Sequence, residues 1–108
     1  MPTNYDIEVV RGDDRKFTVV YKDRGNITGA TIKYTVKDRV GGTQQFQRTV
    51  GTGITITDGP NGVFDVELVP ANTSGMTAGE FVHDIEVTLG GKVDTVILGL
   101  FILVGDVS

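Results

Sequence analysis

Apolar and polar residues alternate with a period of two along most of this chain, and short turns rich in glycine separate the alternating runs. Such alternation is typical of β-strands that bury one face and expose the other. It predicts strands at residues 5–10, 15–22, 30–37, 44–50, 54–57, 63–69, 81–88 and about 92–104. Residues 44–50 contain few apolar side chains and are expected to form an edge strand. Residues 70–76 begin with proline, which cannot donate to a strand ladder, and they predict a single helical turn.

The last predicted strand departs from the alternation, because residues 96–104 form a run of nine uncharged residues. The run is too short to cross a membrane, which needs about 20 apolar residues, and its β-branched and aromatic residues favour a strand. A strand that is apolar on both sides must be covered on both sides, by the domain itself or by a partner. The positions predicted to face the core are Val93, Ile97, Phe101 and Leu103. The positions predicted to face outward, as a docking surface, are Leu98, Leu100, Ile102 and Val104.

Seven or eight short strands at this spacing predict an all-β fold, an antiparallel β-sandwich of the immunoglobulin-like type. The 108 residues suit a single domain that spans residues 1–108. In such a sandwich the second strand lies beside strand 63–69, and the third lies beside strand 81–88. Opposite charges would then face each other across the strands: Lys16 and Lys22 against Asp65 and Glu67, and Lys33 and Lys37 against Asp84 and Glu86.

Charge and composition narrow the classes of function. The net charge of −4 disfavours general nucleic-acid binding, which requires a basic surface. The chain contains no cysteine, so disulfides, thiolate nucleophiles and cysteine metal sites are excluded. The first residues lack the basic and apolar regions of a secretory signal. We therefore expect synthesis and folding in a cytoplasm, with neither nucleic acid nor a membrane as a partner.

Few residues offer catalytic or metal-binding chemistry. The single histidine, His83, lies on the apolar parity of its strand, and no serine elbow motif accompanies it, so we interpret it as a structural or interface residue. The turns at residues 11–14 and 58–62 carry oxygen ligands, but they lack the ligand count and spacing of an EF-hand calcium loop. We interpret both as ordinary turns, and we predict no catalytic residue, no metal and no cofactor.

Several segments together resemble one known pattern. They are DIEVVRGD at residues 6–13, FTV at 17–19, NITGATI at 26–32, residues 58–68, PANT at 70–73, GEFVHDIEV at 79–87, GKV at 91–93 and LGLF at 98–101. This combination resembles the immunoglobulin-like N-terminal domain of upper baseplate proteins from tailed bacteriophages, a family that includes free-standing small phage proteins. The resemblance covers nearly the whole chain and implies a virion part that docks onto other phage proteins without catalysis.

Two departures from the family pattern argue against a receptor-arm role. His83 stands where the family usually has an aromatic residue, and the C-terminal extension that carries further modules in baseplate proteins is missing after Ser108.

These observations lead us to expect a non-enzymatic virion protein, made in the host cytoplasm and bound in many copies, or as a homo-oligomer, to a larger assembly. Decoration or cementing of the capsid, in contact with the major capsid protein, is the first expectation. The alternative is an adaptor that contacts neck, tail or baseplate proteins. A carbohydrate- or receptor-binding module is the competing class, although most aromatic residues have core-facing parity and tryptophan is absent. The residues expected to contact partners are Pro2, Tyr5, Gln45 and Phe46, together with the outward positions of the last strand.

Overall fold

The computed structural model describes residues 3–21 and 25–105, and this part of the chain is almost entirely β-structure. The strands are β1 (Thr3–Asn4), β2 (Ile7–Val10), β3 (Arg15–Val20), β4 (Thr31–Lys37), β5 (Gln44–Val50), β6 (Gly53–Asp58), β7 (Val63–Leu68), β8 (Gly79–Leu89) and β9 (Lys92–Val104). The helical turn expected near Pro70 is confirmed as α1 (Pro70–Thr73), and a 3-10 turn occupies Gly59–Asn61. The strand predicted at residues 5–10 is observed as β2, which starts two residues later, and a short additional strand, β1, precedes Tyr5 and Asp6.

The strands form one continuous hydrogen-bonded sheet in the order β1-β9-β8-β4-β5-β6-β7-β3, with β2 also beside β9. Most pairs are antiparallel, whereas β1 and β2 run parallel to β9 and β5 runs parallel to β6. The predicted neighbours are confirmed, since β3 pairs with β7 and β4 pairs with β8. The cross-strand partners include Lys16 opposite Glu67 and Lys33 opposite Glu86, while Lys37 lies opposite Val82. Lys22 lies outside the described residues.

Strand β5 has two sheet neighbours, and this differs from the edge strand expected from its polar sequence. Thr49 and Val50 pair with Gly53 and Ile54 of β6, whereas β4 pairs along nearly the whole length of β5. A tight loop joins the end of β5 to the start of β6, and in it Gly51 and Gly53 adopt left-handed φ angles of 88° and 99°. Residues with a Cβ rarely adopt these φ angles, so the two glycines allow β6 to start beside the end of β5.

The core contains the apolar residues that the alternation predicts. Ile32, Tyr34 and Val36 of β4 are fully buried, and so are Phe64, Val66 and Leu68 of β7. The ring of Phe17 on β3 packs edge-on against Tyr34 on β4 with 5.5 Å between centroids. Because β3 and β4 are well separated in the strand order, this contact shows that the sheet folds over on itself around one core.

The turn at residues 58–62 is held by its own side chains and backbone. The Asn61 amide donates to the Asp58 carboxylate at 2.8 Å, and the Tyr21 backbone N–H donates to the Gly62 carbonyl at 2.8 Å. Gly62 has a φ of 74°, and a Cβ there would overlap the Tyr21 carbonyl oxygen. The oxygen-rich sequence of this segment is therefore explained by the turn that it forms.

The helical turn α1 fastens the turn between β2 and β3. The Thr73 hydroxyl, which is buried, accepts a hydrogen bond of 2.9 Å from the Gly12 backbone N–H. At the other end of α1, the Asn72 side chain accepts from the Val69 backbone N–H at 2.8 Å. The turn at residues 11–14 is thus held at Gly12 by a contact to another part of the chain.

Candidate docking surface

The apolar run of β9 acquires its two faces through a β-bulge. Ile97 pairs with Ile85 of β8, but Thr95 pairs with the next residue, Glu86, so Val96 is an extra residue in β9. Val96 and Ile97 are both buried as a result, each with 7% exposure. A bulge inverts the side-chain parity on one side of it. The prediction that Val93 faces the core is therefore wrong, and its side chain is 58% exposed.

Beyond the bulge, β9 keeps the predicted parity. Phe101 and Leu103 are buried. The opposite face exposes Leu98 to 45%, Leu100 to 37% and Val104 to 36%, and Ile102 is half-buried. On the same face Val82 of β8 lies opposite Leu100, and Val10 of β2 lies opposite Val104. These six residues form an apolar stripe, defined as Leu98, Leu100, Ile102, Val104, Val10 and Val82.

Carboxylates lie directly beside this apolar stripe. Ile102 is flanked by Glu80 of β8 on one side and by Glu8 of β2 on the other, and both glutamates are exposed. Leu98 lies opposite Asp84 of β8. We call Glu8, Glu80 and Asp84 the acidic border. The sequence prediction placed the two leucines and Ile102 on this outer face. It did not place Glu8 or Val10 there, because the position of these two residues depends on the parallel pairing of β2 with β9.

The N-terminal segment crosses over the one glycine of the apolar run. The Tyr5 backbone N–H donates to the Leu98 carbonyl at 2.9 Å, and the Leu100 backbone N–H donates to the Asp6 carboxylate at 2.8 Å. A Cβ at Gly99 would overlap the Tyr5 carbonyl oxygen. Gly99 therefore lets the N-terminal segment lie against β9 at the point where β1 gives way to β2.

His83 fixes the same segment from inside the core. Its Nε2–H donates to the Tyr5 carbonyl at 2.5 Å, and its Nδ1 accepts from the Tyr34 hydroxyl at 2.8 Å. Burial lowers the pKa of the imidazole, although the hydrogen bond to Tyr5 and the charge of Asp6 act in the opposite direction. Burial also raises the pKa of the Tyr34 hydroxyl. A neutral histidine with both nitrogens hydrogen-bonded fits the predicted structural role.

The remaining predicted contact residues lie in different surroundings. Tyr5 is 37% exposed, and its ring stacks on His83 with 6.5 Å between centroids. Gln45 is half-buried, and its amide donates to the Thr43 carbonyl at 3.2 Å. Phe46 is buried, and its ring packs against Phe101 at 5.9 Å. Phe46 is thus a core residue and is separate from the apolar stripe, whereas Pro2 lies outside the described residues.

A groove of about 540 Å³ overlaps the apolar stripe, on the outer side of β4, β5, β8 and β9, and Val82 and Leu98 line part of it. Charged and amide side chains line much of it, among them Lys33, Lys37, Gln47, Asp84 and Glu86. Burial, and then the neighbouring Glu86, raise the pKa of the Asp84 carboxyl, while Lys37 acts in the opposite direction. The outer face of the sheet is consequently polar over β4 and apolar over β9.

Within residues 3–21 and 25–105, no group of three or more histidine, aspartate and glutamate side chains is placed to hold a metal ion. In the same ranges no helix is long and apolar enough to cross a membrane.

Comparison with known proteins gives no sequence relative. A scan against models of protein families finds no match, and a search of curated proteins finds no similar sequence. Among solved structures, a proposed glycoside hydrolase from Bacteroides vulgatus is similar over 93% of this chain, with 18% identity and a TM-score of 0.48. The chain spans only 16% of the length of that protein.

Two further solved structures are similar in outline. The extracellular domains 3–5 of Drosophila OTK give 12% identity and a TM-score of 0.42, with coverage of 99% of this chain and 34% of that chain. Tim-2 gives 12% identity and a TM-score of 0.41, with coverage of 100% of this chain and 98% of that chain. At these identities and TM-scores, none of the three similarities assigns a function.

Proposed function

We propose that the chain is a non-enzymatic docking module with an immunoglobulin-like β-sandwich fold. The strand order supports this fold, because β6, β7 and β3 form one group and β9, β8, β4 and β5 form another. Among the described strands, the ladder pairing that joins the two groups is the short one of Thr49 and Val50 with Gly53 and Ile54. Aromatic rings from both groups meet in the core, as the contact of Phe17 with Tyr34 illustrates.

The observation that carries the docking role is the apolar stripe. Its members lie side by side on adjacent strands, and three of the four from β9 are at least 36% exposed. Contiguous exposed apolar residues with a polar rim are typical of sites that bind another protein. Their burial would also stabilise the assembled form relative to the free chain, since removal of apolar surface from water is favourable.

The assembly that we propose is the virion of a tailed bacteriophage. The sequence resemblance to the immunoglobulin-like domain of upper baseplate proteins supports this placement. We place the protein first on the capsid surface, in many copies against the major capsid protein, where a rigid domain would cement neighbouring subunits. An adaptor position in the neck, tail or baseplate is the alternative placement. In both placements the protein is made in the host cytoplasm.

Co-sedimentation with phage particles that lack the protein tests this proposal. The wild-type chain should bind the particles, whereas Leu100→Asp and Ile102→Asp should remain in the supernatant as folded monomers, because each places a charge in the apolar stripe. Val20→Asp is the matched control, since Val20 is 53% exposed on β3, away from the stripe, and this variant should bind like the wild type. Absence of wild-type binding would overturn the virion role.

The alternative function is a carbohydrate- or receptor-binding module that uses the groove. The groove supplies hydrogen-bonding side chains such as Gln47 and Asp84, and this polarity favours the alternative. Its described lining residues include no phenylalanine, tyrosine or tryptophan, the rings on which sugars usually stack. Specific retention on a glycan array by the wild type, and its loss in Asp84→Asn, would favour this function over virion docking.

A further inference from the structure

The cross-strand partners of the apolar stripe are acidic, apolar or uncharged. The described cross-strand partners of Leu98 are Asn4 and Asp84, and those of Ile102 are Glu8 and Glu80. Leu100 and Val104 have valines as partners. The cations Lys33 and Lys37 lie one strand further away, on β4, and Lys33 is opposite Glu86. Two arginines lie near one end of the stripe, since the Arg11 backbone N–H donates to the Val104 carbonyl and the Arg15 guanidinium donates to the Glu8 carbonyl. The four carboxylates beside the stripe, which are those of the acidic border and Asp6, outnumber these two cations, so the field close to the stripe is acidic on balance.

The charge of this border discriminates between occupants. A second copy placed face to face on the stripe would bring one acidic border against another, and the resulting repulsion opposes such a dimer. The phosphates of nucleic acid and of anionic lipid are disfavoured for the same reason. A protein surface with apolar side chains at its centre and lysine or arginine at its margin complements both the stripe and its border.

We infer that the apolar stripe docks an apolar protein surface whose margin carries lysine or arginine side chains. This inference rests on the proposed docking function and adds the chemistry of the partner to it. The basic margin would lie against Glu8 and Glu80, which flank Ile102 on both sides. Asp84 would contribute at the other end, beside Leu98, where burial and Glu86 already disfavour its charged form and an incoming cation would relieve that cost.

Three alternating strand peptides serve as probes: one of valine and lysine, one of valine and glutamate, and one of serine and lysine. Binding is followed through the backbone amide NMR shifts of the full chain. The valine–lysine peptide should shift the amides of β9 residues 98–104 and should bind roughly three-fold or more tightly than either other peptide, because only it matches both apolar and charged features. Added salt should weaken this binding, since screening reduces charge attraction.

A double variant, Glu8→Gln with Glu80→Gln, tests how much these two carboxylates of the acidic border contribute to binding. It should reduce binding of the valine–lysine peptide by roughly three-fold or more and remove most of the salt dependence. Glu67→Gln is the matched control, because Glu67 is an exposed glutamate on β7, outside the border, and this variant should bind like the wild type.

The outcomes separate this inference from the docking function on which it rests. Equal binding of the valine–lysine and valine–glutamate peptides on β9 would overturn the basic-partner inference and leave docking through the stripe intact. Binding of the valine–lysine peptide that persists in Leu100→Asp would overturn the inference, because the peptide would then sit elsewhere. Concentration-dependent dimers in sedimentation velocity that disappear in Leu100→Asp would overturn it in favour of a second copy.

Discussion

Replacement of Gly99 by alanine should displace the N-terminal segment from β9. A Cβ at this position would overlap the Tyr5 carbonyl oxygen, and it would also lie 2.7 Å from the Asp6 carboxylate. The obstructing Tyr5 atoms are backbone, so a small side-chain movement cannot relieve the clash. Gly99 does not have a left-handed φ, and an alanine there is otherwise compatible with a strand.

The expected cost follows from the hydrogen bonds that the displacement would break. The bond from Tyr5 N–H to Leu98 and the bond from Leu100 N–H to Asp6 are each worth about 0.5–1.5 kcal/mol. Loss of the Tyr5 carbonyl would also leave the buried Nε2–H of His83 without its acceptor, at a cost of about 1–3 kcal/mol. Alanine also lowers the conformational entropy of the unfolded chain, and this offsets about 0.4–1 kcal/mol of the loss in unfolding free energy. The middle values of these ranges sum to a net loss of about 3 kcal/mol of unfolding free energy, and we expect a value of about 2–4 kcal/mol.

Urea denaturation measures this loss, and hydrogen exchange locates it. For a chain of this size, about 2–4 kcal/mol corresponds to a fall in Tm of roughly 10–25 °C. The amides of Tyr5 and Leu100 should lose protection from exchange in the variant. Gly75→Ala is the matched control, because a Cβ there would meet open space, and its unfolding free energy should change by no more than about 1 kcal/mol. Wild-type stability and unchanged protection at Tyr5 in Gly99→Ala would refute the reasoning.

Two further predictions concern the core. Because burial lowers the pKa of His83, the folded state binds this proton less readily than the unfolded chain, so stability present above pH 6.5 should be lost as the pH falls below 6.5. Between pH 7.5 and pH 5.5, the free energy of unfolding should therefore fall more for the wild type than for His83→Gln. An equal fall in the two proteins would contradict this prediction. Phe46→Ala should cost about 3–5 kcal/mol in urea denaturation, since it removes a buried ring, whereas Gln45→Ala should change little. A loss below about 1 kcal/mol for Phe46→Ala would contradict its place in the core.

The alternation of apolar and polar residues with a period of two predicted much of the strand arrangement. It predicted strand β4 within one residue of its observed start. The strand order of an immunoglobulin-like sandwich predicted the pairing of β4 with β8, and the opposite charges of Lys33 and Glu86 agreed with it. These features were accessible because alternation and cross-strand charge are properties of neighbouring side chains. The role of Phe46 was less accessible, because a single aromatic residue in a polar strand gives no period from which its buried face can be read.

The position of β2 beside β9 could not be read from the sequence for a physical reason. Glu8 and Val10 alternate with Ile7 and Val9 as in any half-buried strand, and the pattern is the same whether the strand pairs with β9 or with another neighbour. Only the three-dimensional pairing places Glu8 beside Ile102. The acidic border was therefore absent from the sequence prediction, although each of its residues was visible in the chain.

Two features inside the apolar run decide which of its residues can meet a partner. The bulge at Val96 turns both Val96 and Ile97 inward, so that strict alternation toward the outer face begins only at Leu98. Gly99 then admits the N-terminal segment, and an isolated glycine within a strand pattern is a recognised sign of such close backbone approach. The two sides of the run therefore have different surroundings. One side completes the core through Phe101. The other side remains exposed beside the acidic border, and it is the surface that we propose docks a partner.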